Sequence, residues 1–408
     1  MSFIDYLYLT YVVLTSSVAS TCEYLWHGPR LPRWDLQFQL RRDIMHRVIK
    51  HQFPAHTDDT HIDTLDIPKI IQDLRKKAMM PGQLTAQEGV YRGFQIPVQE
   101  VPIDQSVFAN TGVGEHKFRE LCLNDREQEE GRTIPCELLQ ATGQSEDADG
   151  IDTQLACSPR QPDEKLILFL HGGGFVMGSS AAYRQLACRI SRHSGRVRVL
   201  SIDYRLAPEH PFPASIYDAY IAFHYIVQQG FRAENVIVAG DSAGGHLALS
   251  LTHLLRMTRG TGLPGGLIVL SPVTDLVSER QSAQRNRDYD YLAQHPLESP
   301  LSNARMMYAP GKPLTQALLS EMADPLCSPI NGDFGPLFPP TLIQAGAAEV
   351  MFDDSKRLHE RMRAQRGESD QPILFEAYED MPHVFHVFFS RPESIQALES
   401  IGRFVKDL

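Results

Sequence analysis

The stretch Asn235-Val-Ile-Val-Ala-Gly-Asp-Ser-Ala-Gly-Gly-His-Leu-Ala248 decides the fold of this chain. Residues 235–239 are typical of a buried strand, and an Ala- and Leu-rich stretch over Gly245–Met257 is predicted to form a helix. The Gly-x-Ser-x-Gly pattern between them predicts a turn so sharp that side chains two residues before and after the serine would clash. This turn leaves the Ser242 hydroxyl at the start of a helix, where free N–H groups and the dipole favour negative charge. Ser242 is therefore a candidate nucleophile.

Further apolar runs lie on both sides of this stretch. They are predicted to be strands at Leu166–Leu170, Arg196–Ile202, Gly266–Leu270, Thr341–Ala345 and Ile373–Tyr378. Helical stretches such as Ala181–Arg192 and Ala214–Gln229 lie between most of them. Uninterrupted apolar strands that alternate with helices are typical of a parallel sheet covered on both faces, so the fold class is α/β.

The sequence outside these runs suggests two domains. Residues 1–90 are predicted to be an N-terminal helical segment that forms part of a cap, with an amphipathic helix over Leu36–His51. Residues 91–408 are predicted to be the catalytic domain, which opens with an extended stretch at Tyr91–Ile103. An insertion at about 274–338 breaks the strand–helix rhythm, and an insertion of this size is usually functional. We expect it to pack with the N-terminal helices over the carboxyl edge of the sheet.

A glycine-rich loop, His171-Gly-Gly-Gly174, follows the strand at Leu166–Leu170. Glycines let a backbone approach a substrate closely, and a tetrahedral oxyanion needs two or more N–H donors aimed at it. The alternatives are a flexible turn or a phosphate loop, but neither GxxxxGK[ST] nor GxGxxG fits this stretch. The expected donors are the backbone N–H groups of Gly172, Gly173, Gly174 and Ala243. We interpret His171 as structural.

Three motifs carry a family resemblance: HGGGF at 171–175, DYRLAPEHPFPA at 203–214 and GDSAGGHLA at 240–248. From Leu166 onward the chain resembles the hormone-sensitive-lipase-like family of α/β hydrolases, which includes arylacetamide-deacetylase-like and many microbial and fungal esterases. The resemblance implies an α/β-hydrolase fold, with a mostly parallel central sheet, helices on both faces and a helical cap. It also implies that carboxylic esters are hydrolysed through an acyl-enzyme.

The catalytic base is expected after the last strand, because triad residues in this fold occur in the order serine, acid, histidine. The family pattern is a histidine followed by a small residue and phenylalanine, which selects His383 over His386. Val384 stands where glycine is usual. A neutral imidazole there would accept the serine proton and later donate it to the leaving alcohol.

The triad acid has two candidates. The family carries aspartate at the position that aligns with Glu349, and a glutamate there can still orient the imidazole and stabilise its charged form. Asp353, one helical turn further on, is the alternative acid. An aspartate at the start of a helix is also favoured simply by the helix dipole.

The composition limits the classes of partner and cofactor that are expected. The net charge of −11 disfavours nucleic acid, because phosphate binding needs clustered Lys and Arg. The six cysteines form no CxxC pair, and no HExxH is present, so no metal and no cofactor are expected. The expected partner is a small, hydrophobic ester. The sequence does not indicate the oligomeric state.

The uncharged segment Tyr6–Ala19 has three interpretations: a cap helix packed on the body, a membrane-associating segment, or a cleaved signal. It is shorter than the ~20 apolar residues of a spanning helix, and it lacks a basic region before it. An intracellular location, cytoplasmic or membrane-associated, is expected. Membrane association would suit a lipophilic ester.

Two other functions fit parts of the pattern. An acyltransferase or deacetylase acting on a specialised lipophilic metabolite would use the same residues with a different acceptor. A non-catalytic protein could also bind a small ligand on this fold, but here serine, acid and base candidates are all present. Labelling by a fluorophosphonate probe would separate enzyme from binding protein.

Overall fold

One sheet runs through the structure. The computed structural model describes residues 3–52, 75, 83–85, 87–98, 131–143, 157–258, 260–292, 315–367 and 371–408. The strands are β1 Gly89–Pro97, β2 Thr133–Ala141, β3 Leu166–Leu170, β4 Arg198–Ile202, β5 Val236–Asp241, β6 Gly266–Leu270, β7 Thr341–Gly346 and β8 Ile373–Tyr378. They form an eight-stranded sheet in the order β1-β2-β4-β3-β5-β6-β7-β8.

Strands β3 to β8 pair in parallel with one another, whereas β2 pairs antiparallel to both β1 and β4. The predicted parallel strands are confirmed, although β4 begins at Arg198 because Arg196 occupies a left-handed turn with φ 67°. Strand β2 is absent from the sequence prediction. Pro135 disfavours a strand in the sequence, but β2 is regular because it pairs with β1 along its whole length and with β4 over four residues.

The helices are α1 Phe3–His27, α2 Leu36–Gln52, α3 Arg184–His193, α4 Ala214–Gln228, α5 Ala243–Thr258, α6 Gln281–Arg285, α7 Gln316–Met322, α8 Phe352–Arg366 and α9 Pro392–Asp407. The pleat sends alternate side chains of β3 to opposite faces of the sheet. Leu166, Leu168 and Leu170 pack in the core with α4, α5 and α8. Ile167 and Phe169 pack in a second core with α3 and α9. The sheet is thus covered on both faces, as the sequence predicted.

The N-terminal helices pack against each other and onto the loop that follows β8. Helix α1 buries Val12, Ser16 and Ser20, which are spaced four residues apart on one face. It ends at Gly28, whose positive φ of 80° is typical of a helix stop. Among the described residues, no helix combines the length and the apolar character needed to cross a membrane.

Helix α2 begins where Asp35 accepts a 2.7 Å hydrogen bond from the Phe38 N–H. The ring of Phe38 lies 4.9 Å from that of Phe388, so the N-terminal segment is seated beside the loop that follows β8. Trp34 extends the contact by donating its indole N–H to the Asp380 carbonyl, at 2.6 Å. The division at residues 90 and 91 and the cap insertion at about 274–338 stay predictions.

Candidate active site

Ser242 occupies the turn between β5 and α5 with φ 51°, in the left-handed region, where a non-glycine residue is strained. A Cβ at Gly240 would lie 2.4 Å from the Gly244 carbonyl carbon, and one at Gly244 would lie 1.9 Å from the Leu170 oxygen. Both positions therefore accept only glycine. The Ser242 N–H donates to the Leu270 carbonyl at 2.8 Å, which fixes the turn against the end of β6.

The glycine loop 171–174, which we name the oxyanion loop after its predicted role, lies against this turn. Its contacts contradict the prediction that Gly172 is an oxyanion donor. The Gly172 N–H already donates to the Asp241 Oδ1, at 2.9 Å, so it is not free to bind an oxyanion. Gly173 and Gly174 have φ 115° and 61°, conformations that favour glycine. No described residue accepts a hydrogen bond from either amide. Ala243 is the first residue of α5, and its N–H therefore has no intrahelical acceptor.

Asp241 explains why position 172 must be glycine, and the sequence analysis did not identify it as a site residue. It is buried, and its Oδ2 accepts a 3.0 Å hydrogen bond from the Tyr183 hydroxyl. A Cβ on Gly172 would lie 2.3 Å from that same oxygen. Burial raises the pKa of Asp241 to about 6, even though these hydrogen bonds oppose the rise.

His171 packs under the oxyanion loop against Tyr204, in agreement with the prediction that it is structural. Its ring stacks on Tyr204 with centroids 4.2 Å apart, and its Nδ1 lies 2.8 Å from the Gly172 oxygen. The Tyr204 hydroxyl donates to the His171 carbonyl at 2.6 Å. Burial lowers the pKa of His171, so the ring is held as a neutral packing element.

Of the two histidines after β8, only His383 lies beside a carboxylate. Its Nδ1 is 3.7 Å from the Glu349 Oε2, and both side chains are buried. Burial alone would lower the pKa of His383, but Glu349, followed by Asp290 and Asp241, raises it above its ordinary value. His386 instead lies 3.0 Å from the Gln344 Oε1, and burial lowers its pKa to about 3.

The two candidate acids have different surroundings. Glu349 is fully buried and faces His383. Asp353, at the start of α8, accepts the Ser282 N–H at 2.7 Å and pairs with Arg285 at 3.1 Å. Both oxygens of Asp353 thus serve the 282–285 segment, which favours Glu349 as the partner of the base.

Ser271 joins the acid to the base loop, and sequence reasoning missed it as well. Its hydroxyl donates to the Glu349 Oε2 at 2.6 Å and accepts the Val384 N–H at 3.1 Å. The signal in the sequence was its place directly after β6, because functional residues of parallel sheets gather at the carboxyl ends of strands.

Helix α2 binds the backbone of a segment that borders the site. The Arg42 guanidinium donates to the carbonyls of Asp288, Tyr289 and Asp290 at 2.8, 2.9 and 2.8 Å. The Asp290 carboxylate accepts a 2.7 Å bond from the Val350 N–H, next to Glu349. The Tyr291 ring lies 6.3 Å from that of His383. Helix α2 thus secures a segment that borders both members of the acid–base pair.

Comparison with known proteins defines the class to which this fold and site belong. A family model described as the alpha/beta hydrolase fold matches residues 167–387. The chain therefore belongs to the α/β-hydrolase family. It is 34% identical over 249 residues to an acetyl-hydrolase of Streptomyces hygroscopicus, a match that covers 61% of this chain and 77% of that protein.

Further relatives narrow the class. An esterase of Acinetobacter venetianus is 34% identical over 60% of this chain and 75% of its own length. An esterase of the bacterial hormone-sensitive lipase family aligns with a TM-score of 0.60 and 26% identity, over 90% of this chain and 97% of that one. A structure of EstE5 soaked with p-nitrophenyl butyrate aligns with a TM-score of 0.60 and 25% identity, over 89% and 97%.

The protein is thus a hormone-sensitive-lipase-like carboxylic ester hydrolase. The sequence predictions of family, fold class and ester hydrolysis are confirmed, and the non-catalytic alternative is set aside. The assignments of nucleophile, base, acid and oxyanion donors stay predictions.

Proposed function

We propose that the protein cleaves carboxylic esters through an acyl-enzyme formed on Ser242. One observation carries the proposal. The strained Ser242 turn follows β5, which lies in the sheet between β3, after which the oxyanion loop begins, and β7 and β8, after which the buried Glu349 and His383 follow. Strain of this kind costs about 1–3 kcal/mol and persists where the surrounding structure fixes it, which is common at active sites.

The first half of the reaction forms the acyl-enzyme. The Ser242 hydroxyl attacks the ester carbonyl carbon while His383 accepts its proton. The carbonyl electron pair moves onto oxygen, which accepts hydrogen bonds from the N–H groups of Gly173, Gly174 and Ala243. When the carbonyl reforms, the bond to the alcohol breaks, and the proton held by His383 goes to the departing alcohol.

The second half releases the acid. His383 removes a proton from water, the resulting hydroxide attacks the acyl carbon, and the proton returns to the Ser242 oxygen as it leaves. Glu349 stabilises the imidazolium in both halves, in keeping with the upward shift that it causes in the pKa of His383. The 3.7 Å separation of this pair in the free enzyme is expected to shorten when substrate binds.

The substrate is proposed to be a small, hydrophobic ester. Short acyl groups are proposed because one relative is named an acetyl-hydrolase and a similar structure was soaked with p-nitrophenyl butyrate. The test is a panel of p-nitrophenyl esters of increasing acyl length, beginning with butyrate, assayed with wild type and Ser242→Ala. We expect hydrolysis by wild type only; equal hydrolysis by both proteins would refute Ser242 as nucleophile.

The domain prediction is retained as a proposal that α1, α2 and the insertion at about 274–338 form a cap. It is supported by the bonds from Arg42 to the 288–290 backbone, because they tie an N-terminal helix to the insertion. The His46 Nδ1 adds a contact of 3.0 Å to the Tyr291 carbonyl. In this arrangement the cap borders the base and limits which esters enter.

We also propose that α1 contacts lipid surfaces. Uncharged residues at helical spacing stand outward on it with exposures between 61% and 84%: Tyr11, Leu14, Val18, Leu25 and Trp26. Aromatic residues at each end of such a row are typical of segments that lie in a membrane interface. An enzyme held there would meet lipophilic esters where they concentrate.

A further inference from the structure

Ser271 is a fully buried serine that the ester-hydrolysis mechanism does not use directly. It follows β6 and has φ 47°, in the left-handed region. Its N–H donates to the Gln344 carbonyl of β7 at 2.7 Å. The residue is therefore fixed between the ends of two central strands, and its side chain has little freedom of its own.

The hydroxyl of Ser271 makes two bonds whose directions are determined by chemistry. The Glu349 Oε2 at 2.6 Å accepts, so the single hydroxyl proton must point to it. The Val384 N–H at 3.1 Å can only donate, so it takes an oxygen lone pair. One side chain thereby connects the proposed acid to the backbone next to the proposed base.

The backbone at Val384 needs such an anchor. Val384 has φ 44° and ψ 45°, and a β-branched residue in this region is strained. Its N–H bond to Ser271 holds the turn in place directly after His383. Without that bond, relaxation of the turn would move the imidazole away from the carboxylate that orients it.

The bond to Glu349 has an electrostatic effect as well. Glu349 is buried, and a buried carboxylate depends on hydrogen-bond donors to remain charged. The Gly346 N–H at 3.3 Å is a long bond, whereas the Ser271 hydroxyl is short and close to ideal. Ser271 is thus the stronger of these two donors to Glu349.

We propose that Ser271 is a positioning residue that keeps Glu349 charged and holds the His383 loop in register for proton transfer. The proposal rests on the proposed Ser242–His383–Glu349 triad. The free, active pair carries a net charge of −1, and loss of the hydroxyl removes a donor from that state. The pair should then take up a proton more readily, whichever partner binds it, and the acid limb of the pH profile should move to higher pH.

The test uses Ser271→Ala and Ser271→Gly, with kcat, KM and the pH profile of kcat/KM measured on p-nitrophenyl butyrate. We expect kcat to fall about 10- to 100-fold with KM within about threefold, and the acid limb to rise by about 0.5–1 pH unit. Glycine tolerates a positive φ, so it removes the hydroxyl without backbone strain and remains informative if the alanine variant folds poorly.

The matched control is Ser328→Ala. Ser328 is equally buried, and its hydroxyl also donates one bond, to the Met322 carbonyl at 2.8 Å, and accepts one, from the Leu276 N–H at 3.0 Å. It touches neither Glu349 nor His383. This variant should lose stability but keep the wild-type acid limb.

The outcomes separate the two proposals. An unchanged acid limb in both Ser271 variants, or an equal shift in Ser328→Ala, would overturn the role of Ser271. A wild-type enzyme that a fluorophosphonate does not label at Ser242 would instead overturn the triad itself. Labelling of Ser242 together with a shifted limb in only the Ser271 variants supports both.

Discussion

The Gly172 N–H donates a 2.9 Å hydrogen bond to the Asp241 Oδ1, and this bond joins the oxyanion loop to the nucleophile turn. Asp241 directly precedes Ser242, so whatever fixes Asp241 also fixes the distance between nucleophile and oxyanion donors. The Tyr183 hydroxyl holds the other oxygen of the carboxylate at 3.0 Å. The bond therefore assigns a positioning role to Asp241, which lies between the first glycine and the serine of the Gly-x-Ser-x-Gly pattern.

Removal of this anchor should slow the chemical step. Asp241→Ala leaves the Gly172 N–H without its acceptor, and we expect kcat to fall about 10- to 100-fold with little change in KM, because misplaced oxyanion donors act mainly in the transition state. Asp241→Asn keeps an oxygen for the Gly172 N–H and should retain most of the activity. Steady-state kinetics on p-nitrophenyl butyrate checks both, and equal losses in the two variants would contradict the anchoring role.

The same carboxylate predicts a pH dependence of stability. The pKa of Asp241 is about 6 in the folded protein against an ordinary 3.8, so the folded state binds more protons between these values and loses stability as pH rises. Asp241→Asn lacks this loss. Its free energy of unfolding relative to wild type should increase by about 2–3 kcal/mol between pH 4 and pH 7. Urea unfolding at several pH values measures the difference; a constant difference would show that Asp241 titrates normally.

The choice of acid is tested by a matched pair of amide variants. Glu349→Gln removes the charge that stabilises the imidazolium, and we expect kcat to fall about 10³- to 10⁴-fold. Asp353→Asn should stay within about twofold of wild type, since its ion pair with the half-exposed Arg285 is worth little. Measurement of kcat for both variants on one ester distinguishes the two acids. A larger loss in Asp353→Asn than in Glu349→Gln would make Asp353 the acid.

Helix α2 should influence the site through Arg42. Arg42→Met removes three bonds to the 288–290 backbone, so backbone amides of 286–292 should exchange hydrogen faster and kcat/KM should fall about tenfold. The neighbouring Arg41 is exposed and bonds only Ser390 among the described residues, so Arg41→Met is the control. Unchanged exchange in Arg42→Met would contradict a link between this helix and the base.

The exposed row on α1 predicts lipid binding. Wild type should float with phosphatidylcholine vesicles, whereas Leu14→Asp combined with Val18→Asp should not, because charges in the row oppose insertion. Gln37→Asp adds a charge at an exposed position of α2 and should behave as wild type. All of these proteins should cleave a short soluble ester equally, and a wild type that does not float would count against the lipid surface.

The sequence could predict the parallel strands because β3 to β7 are buried on both faces and are therefore mostly apolar, with unbroken apolar runs in β3, β5 and β6. It also indicated Ser242 and His383, since their motifs lie within a few residues of strand ends. The sequence could not predict the hydrogen bonds that organise the site, because these bonds connect residues that are far apart in the chain. Ser271 meets Glu349 across 78 residues, Gly172 meets Asp241 across 69, and Arg42 meets Asp290 across 248.

The Gly172 donor shows this limit most clearly. A glycine-rich loop indicates that backbone amides can approach an oxyanion, but not which of them a neighbouring side chain already engages. Only the position of Asp241 shows that Gly172 anchors the loop while Gly173 and Gly174 stay available.

The central claim is that Ser242 is the nucleophile, and the most direct measurement is mass spectrometry of the protein after reaction with a fluorophosphonate. We expect one covalent adduct, located by peptide mapping on Ser242, that forms much more slowly in Glu349→Gln and not at all in Ser242→Ala. An adduct on another serine, or hydrolysis of p-nitrophenyl butyrate by wild type with Ser242 unlabelled, would contradict the account.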